Sequence, residues 1–113
     1  MLKNSLKDSA SFQKVYREGI SYANKYLVMY LLNNGIDCNR VGISVSKKVG
    51  NSVVRHRITR LLRECYRAEE QYLQVGYDIV VVARIGARDK KLEEISSSFV
   101  HLCRLHGICK RDD

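Results

Sequence analysis

The stretch Ser52-Val53-Val54-Arg55-His56-Arg57-Ile58-Thr59-Arg60-Leu61-Leu62-Arg63-Glu64-Cys65-Tyr66-Arg67-Ala68-Glu69-Glu70-Gln71 reads as one long amphipathic helix. At about 100° per residue from Val54, the side chains of Ile58, Leu61, Leu62, Cys65, Ala68 and Tyr72 fall between about −40° and +80°. That arc is an apolar stripe fit to pack on a sheet. His56, Arg60, Arg63 and Arg67 fall between about 180° and 240°, on the far side, with Arg55 and Arg57 on the flanks. Like charges one turn apart cost the isolated helix a few tenths of a kcal/mol per pair. Only Glu64 offsets them. A face that served solubility alone would mix signs, whereas a row of planar five-donor guanidiniums suits phosphate and base stacking.

Working outward, Lys47-Lys48-Val49-Gly50-Asn51 precedes the helix. Asn51 or Ser52 caps it, and the free N–H groups of its first turn extend the basic rail. Arg40 to Ser46 alternates as a strand, with Val41, Ile43 and Val45 on one face and Gly42, Ser44 and Ser46 on the other. Those small residues make a floor with room above it, flanked by Tyr26, Val28 and Tyr30. Tyr26 to Leu32 reads as another strand, and Asn33-Asn34-Gly35 is a turn that pairs the two as an antiparallel hairpin. Tyr77 to Arg84 is an apolar run suited to a central strand buried on both faces.

A first helix is expected from Ser9 to Glu18, capped by Asp8 or Ser9 and closed by a left-handed Gly19, with Phe12, Val15 and Tyr16 sharing a face. A last helix is expected from about Asp89 to Gly107, with Leu92, Ile95, Phe99 and Leu102 along its stripe. The order of elements fits an α/β fold, a two-layer sandwich, as one domain over residues 1–113.

The net charge of +8 is concentrated: residues 40–67 hold eight basic side chains against the single acid Glu64. A polyphosphate partner is the natural complement. No apolar run approaches a membrane span, and the first residues lack a signal core, so a cytoplasmic protein without a membrane partner is expected. Cys38, Cys65, Cys103 and Cys109 read as small hydrophobes of a reducing compartment rather than a disulfide framework. His101, Cys103, His106 and Cys109 lack the paired spacing of structural zinc sites, so no metal site is assigned.

The run Val45-Ser46-Lys47-Lys48-Val49-Gly50-Asn51, continuing through Arg55-His56-Arg57 and Arg60 to Arg63-Glu64, resembles the signature of the bacterial ribonuclease P protein subunit. The similarity extends to Phe12-Gln13-Lys14-Val15-Tyr16 with Gly19, to Tyr26 to Leu32, to Arg40-Val41-Gly42-Ile43-Ser44, and to Tyr77-Asp78-Ile79-Val80. His56 and Thr59 depart from the family's usual asparagine and lysine. The resemblance implies an αβββαβα order like that of the second domain of a small-subunit ribosomal protein. It also implies a left-handed strand-helix-strand crossover, against the usual right-handed rule.

On this resemblance, Lys47, Lys48, Asn51, Arg55, His56, Arg57, Arg60, Arg63 and Arg67 face the catalytic RNA. The 5′ leader of precursor tRNA lies in a cleft marked by Phe12, Tyr16, Tyr30, Ser44 and Lys48. Stacking on such rings contributes about 1–3 kcal/mol per base regardless of base identity. Taken alone, without the resemblance, Phe12 and Tyr16 read as an i, i+4 core pair rather than a cleft. Chemistry would belong to Mg2+ held by RNA and phosphate oxygens, with no organic cofactor, no catalytic residue in this chain and no obligatory protein partner. Two rivals remain at this stage: a free-standing RNA-binding or chaperone-like protein, and a protein-only nuclease with His56 as general base.

Overall fold

The structure, a computed structural model, describes residues 4–110. The first helix, α1 (Ser9–Glu18), is capped by Asp8, whose carboxylate accepts from the Ser11 N–H at 3.1 Å. This bond holds the carboxyl below its usual range. Gly19 ends the helix, but not in the expected left-handed turn: its φ of −81° and ψ of 167° are extended. Glycine is needed there for closeness, because a Cβ would lie 2.6 Å from the Val15 carbonyl oxygen and 2.9 Å from that of Leu31.

The chain continues through β1 (Ile20–Ala23), β2 (Leu27–Asn33), β3 (Arg40–Ser44), α2 (Ser52–Glu69), β4 (Tyr77–Ala83) and α3 (Leu92–His106). Single 3₁₀ turns at Glu70–Tyr72 and Ile85–Ala87 complete the path. In the sheet the order is β1-β2-β4-β3. The expected hairpin between β2 and β3 is therefore replaced by a different pairing. β4 lies between them, antiparallel to β2 and parallel to β3, and the partner of β2 on its other edge is β1. Asn34 explains why the turn signal misleads: its amide donates to the Cys38 carbonyl at 3.1 Å and to the Asp78 carboxylate at 3.0 Å. The Asn-Gly stretch thus anchors a long loop onto β4 instead of closing a tight hairpin.

Both faces of the sheet are used. Leu27, Met29, Val41, Ile79, Val81 and Ala83 pack beneath α2 and α3, where Ile58, Leu62, Ile95, Phe99 and Leu102 complete the main core. On the opposite face Val15 of α1 is buried against Val80, with Leu6 closing the cluster. Residues Asn4–Leu6 run along the outer edge of β3, where Val41 exchanges hydrogen bonds with Asn4 and Leu6. That covers an edge otherwise open to pairing with another chain.

The buried arc of α2 is displaced from the expected stripe. Ile58, Leu62 and Cys65 are buried as read, but Ala68 and Tyr72 are exposed and Tyr66 is buried. Tyr66 lies beside Cys38 and Asn39, and burial pushes its phenol up to about 12. In α3 the stripe holds from Ile95 to Leu102, while Leu92 is exposed at the helix start. Gly107, with φ of 70°, supplies the left-handed cap of that helix.

Candidate nucleic-acid interface

Asn51 starts α2 by accepting the Val54 N–H at 3.0 Å, so its side chain is committed to the cap. From there the outward face presents His56, Arg60, Arg63 and Arg67, all exposed, and Lys47 and Lys48 are exposed on the turn before it. Among the described residues the ion pairs are Arg17 with Glu18 and Arg40 with Asp78. Among the described residues, therefore, no carboxylate is in bonding range of the α2 arginines. Arg57, Arg60, Arg63 and Arg67 line a groove of about 400 Å³ with Leu61 and Glu64. A second depression of about 300 Å³ lies between His56, Thr59, Arg60 and Arg63.

Arg55 and Arg57 behave differently. Arg55 is half-buried, and its Nε is buried without a hydrogen-bond partner. Arg57 turns its fork to the chain itself, donating to the Lys90 carbonyl at 3.0 Å and to the Arg88 carbonyl. It ties α2 to the loop before α3, a connection no local pattern signals. Thr59 donates its hydroxyl to the Arg55 carbonyl at 2.8 Å.

On the α1 side of the sheet, register places Tyr30, Val80 and Gly42 in one row and Val28, Val82 and Ser44 in the next. Gly42 and Ser44 form the expected floor, but β3 ends at Ser44, so Ser46 lies exposed beyond it, and Tyr26 precedes β2 and packs with the main core instead. Phe12 lies over Gly42 so closely that a Cβ would meet its Cζ at 2.5 Å. Tyr16 meets Tyr30 edge to face at 4.9 Å between ring centres, and Phe12 lies 6.3 Å from Tyr16. All three rings remain half-buried. Phe12 and Gly42 also line a cleft of about 460 Å³ whose far wall is Thr59 and Arg63 of α2. Lys7 and Ser5 border the same cleft and were not singled out from sequence. Lys48 is exposed in the turn beyond Ser44.

The histidines and cysteines near the C-terminal end do not gather. His101 bonds Asn24, His106 bonds the Met29 carbonyl at 2.8 Å, and Cys103 is buried, its thiol pushed far up by desolvation. Among the described residues no three His, Cys, Asp or Glu side chains form a metal-binding group, and no helix is long and apolar enough to cross a membrane.

This geometry has close relatives. The sequence model of the Ribonuclease P family matches residues 2–106. The chain belongs to the ribonuclease P protein family. The ribonuclease P protein component of Lachnoclostridium phytofermentans is 57% identical over 107 residues, covering 95% of this chain and 92% of the relative. That of Clostridioides difficile is 47% identical, covering 91% of each. Among solved structures, the RNase P protein of Staphylococcus aureus matches with a TM-score of 0.88 and 38% identity over 96% of this chain and 99% of that one. The RNase P protein of Thermotoga maritima matches with a TM-score of 0.82 and 28% identity over 90% and 97%. The ribonuclease P fold is thus shared over nearly the full length of each chain.

Proposed function

We propose that this chain is the protein subunit of ribonuclease P, an endoribonuclease that works as a ribonucleoprotein in tRNA processing in the cytoplasm. The exposed face of α2, with Lys47 and Lys48, binds the catalytic RNA. The cleft beneath α1 holds the 5′ leader of precursor tRNA. The observation that carries this reading is the row Arg60, Arg63 and Arg67, without ion pairs among the described residues, which reaches the cleft lined by Phe12 at Arg63.

Guanidiniums on one rigid helix neutralise phosphates and release counterions without sequence information, as binding to a folded RNA requires. Phe12, Tyr16 and Tyr30 offer ring edges and faces to unpaired bases of any identity, as a leader of variable sequence requires. Arg55 is half-buried on the flank of the helix and adds positive charge beside this face. Arg57 contributes by fixing the neighbouring loop, and Asn51 by capping the helix.

The donor set does not fit Mg2+ held by this chain, because the basic face carries a single carboxylate, Glu64, and hard dications need several oxygens. Mg2+ would sit among RNA and phosphate oxygens, where it supplies a polarised water or leaving group. The part of the protein is to place two polyanions side by side and lower their repulsion.

The test is multiple-turnover cleavage of precursor tRNA by a bacterial ribonuclease P RNA at low Mg2+. Addition of the protein is expected to restore turnover and to favour precursor over mature tRNA. RNA binding without any gain in cleavage would instead mark a free-standing RNA-binding protein, and cleavage by the protein alone would mark a nuclease.

A further inference from the structure

A cavity of about 440 Å³ lies apart from the α2 face and the α1 cleft, between the β1–β2 turn and α3. Its walls include Lys25, Tyr26, Glu93, Glu94, Ser97 and His101. Asn24 organises it. The Asn24 Oδ1 accepts from the backbone N–H groups of Tyr26 and Leu27 at 3.3 and 3.1 Å, and from the Ser98 hydroxyl at 2.6 Å. Two main-chain donors on one oxygen fix which way the amide points. Its Nδ2 must then donate, to the Ser98 carbonyl at 2.9 Å and to the His101 Nδ1 at 3.0 Å. His101 Nδ1 is therefore an acceptor, and the neutral ring carries its proton on Nε2 as a donor not used by Asn24.

Beside this donor lies the half-buried ring of Tyr26, with the Lys25 ammonium 5.9 Å and the Lys90 ammonium 5.4 Å from its centre. Neither lysine is ion-paired among the described residues. The opposite rim carries carboxylates. Both are exposed, but Glu94 has one oxygen committed to the Lys91 N–H at 2.9 Å, whereas Glu93 has no such bond among the described residues. An aromatic wall, the Lys25 cation in the lining, a second cation, Lys90, beside the same ring and a carboxylate acceptor match the parts of a nucleotide: a ring to stack, a phosphate, and base donors. The site is also joined to the α2 face, because Arg57 holds the carbonyl of the same Lys90.

We propose that this cavity binds one unpaired nucleotide of RNA, its base against Tyr26 and His101 and its phosphate beside Lys25 and Lys90. Glu93 selects the base. Guanine presents N1–H and its amino group side by side to a carboxylate, and its O6 and N7 accept from a donor such as His101 Nε2–H. Uracil has only one N–H on that edge, so guanine is preferred by about fivefold or more. For delivery of a strand in the holoenzyme the proposal rests on the reading of α2 as an RNA face; binding of a free mononucleotide does not.

Titration of the full-length chain with GMP, UMP and inorganic phosphate, followed by NMR, tests the site directly. GMP is expected to shift the signals of Tyr26, Ser97, Ser98 and His101 saturably, UMP more weakly, and phosphate alone those of Lys25 and Lys90 at most. Glu93→Gln should erase the preference for GMP, and Ser97→Leu, at an exposed position, should block both nucleotides while the fold is retained. Equal shifts with phosphate alone, shifts confined to α2, or none would overturn the proposal. In reconstituted holoenzyme with the unaltered chain, 6-thioguanosine incorporated into the catalytic RNA or into the precursor is expected to photocrosslink to the cavity at Tyr26 or His101, and the RNA that reacts identifies which one supplies the nucleotide. Intact assembly without a crosslink to either refutes the cavity alone, whereas failed assembly alongside normal GMP shifts refutes the α2 reading alone.

Discussion

Replacing Arg60, Arg63 and Arg67 together by glutamine tests the α2 face most sharply, because it separates binding from folding. All three side chains are exposed and, among the described residues, lack ion-pair partners, so removing them leaves the core untouched. Within the helix the repulsions Arg60–Arg63 and Arg63–Arg67 are offset by the attractions of Glu64 to Arg60 and Arg67, each a few tenths of a kcal/mol. Stability should therefore change by less than about 0.5 kcal/mol. Each phosphate contact contributes about 0.7–0.9 to the slope of log affinity against log salt. Three lost contacts lower the slope by about 2 to 3. Over a fourfold rise in salt the affinity of the native chain should then fall about thirtyfold more than that of the variant. Equilibrium binding of the catalytic RNA across that range, beside urea unfolding of both proteins, measures the two quantities. An unchanged slope, even with weaker binding at every salt concentration, would mean that these arginines do not meet phosphates, and the assignment of the face would fail.

Phe12→Ala should weaken binding of precursor carrying a leader by about 1–3 kcal/mol while leaving mature tRNA unaffected, and equal losses for both ligands would return Phe12 to a packing role. Asp78→Asn removes the carboxylate that Arg40 grips through two hydrogen bonds of 2.7 and 2.8 Å. Arg40 is about two-fifths exposed, so solvent limits the cost to about 1.5–3 kcal/mol in urea unfolding, and a change under about 0.5 kcal/mol would show the pair to be incidental. Burial lowers the His106 pKa from 6.5, outweighing its bond to the Met29 carbonyl, so the unfolded chain takes up a proton before the folded one. The stability due to His106 is full above about pH 6.5 and declines as pH falls towards the folded pKa. His106→Gln, which keeps a donor to Met29, should flatten that part of the profile, and an identical acid slope in both proteins would contradict it.

The bounds of α1 and the start of α2 were legible because their signals are local, Asp8 and Gly19 for α1 and Asn51 for α2, whereas α3 begins at Leu92 and not near Asp89, because the Lys91 N–H is capped by the Glu94 carboxylate. Strand order was not. Alternation in residues 40–44 shows that one face is buried but not which strand lies alongside, and the Asn-Gly turn argued for the wrong neighbour. Tyr66 escaped the helical stripe for a similar reason, since it is covered by a loop near Asn39 that no helical periodicity can include. The row of exposed arginines was readable because charge and helical phase sufficed; strand alternation gave the row of Gly42 and Ser44 beside Tyr30, whereas placing Phe12 and Tyr16 over it rested on the family resemblance, because helical spacing alone makes them a core pair. The partners of Arg57 lie 31 and 33 residues away in sequence, so a side chain that reads as a ligand contact is engaged by the fold itself.

The junction at Arg63 gives the two proposed surfaces a common logic. A leader and a catalytic RNA are both polyanions, and bringing them within a few ångströms costs repulsion that salt screens only partly, since the Debye length at physiological ionic strength is about 8 Å. A protein that bound them on opposite sides would leave this repulsion in place. Here the wall of the cleft facing Phe12 is formed by Thr59 and Arg63, and Arg63 also lines the groove with Arg60 and Arg67. One guanidinium can therefore face phosphates of both strands, and its screening acts where they converge. The same placement predicts that Arg63 is the least additive of the three arginines: its loss should impair leader discrimination as well as RNA affinity, whereas loss of Arg67, which does not line the cleft, should impair affinity alone.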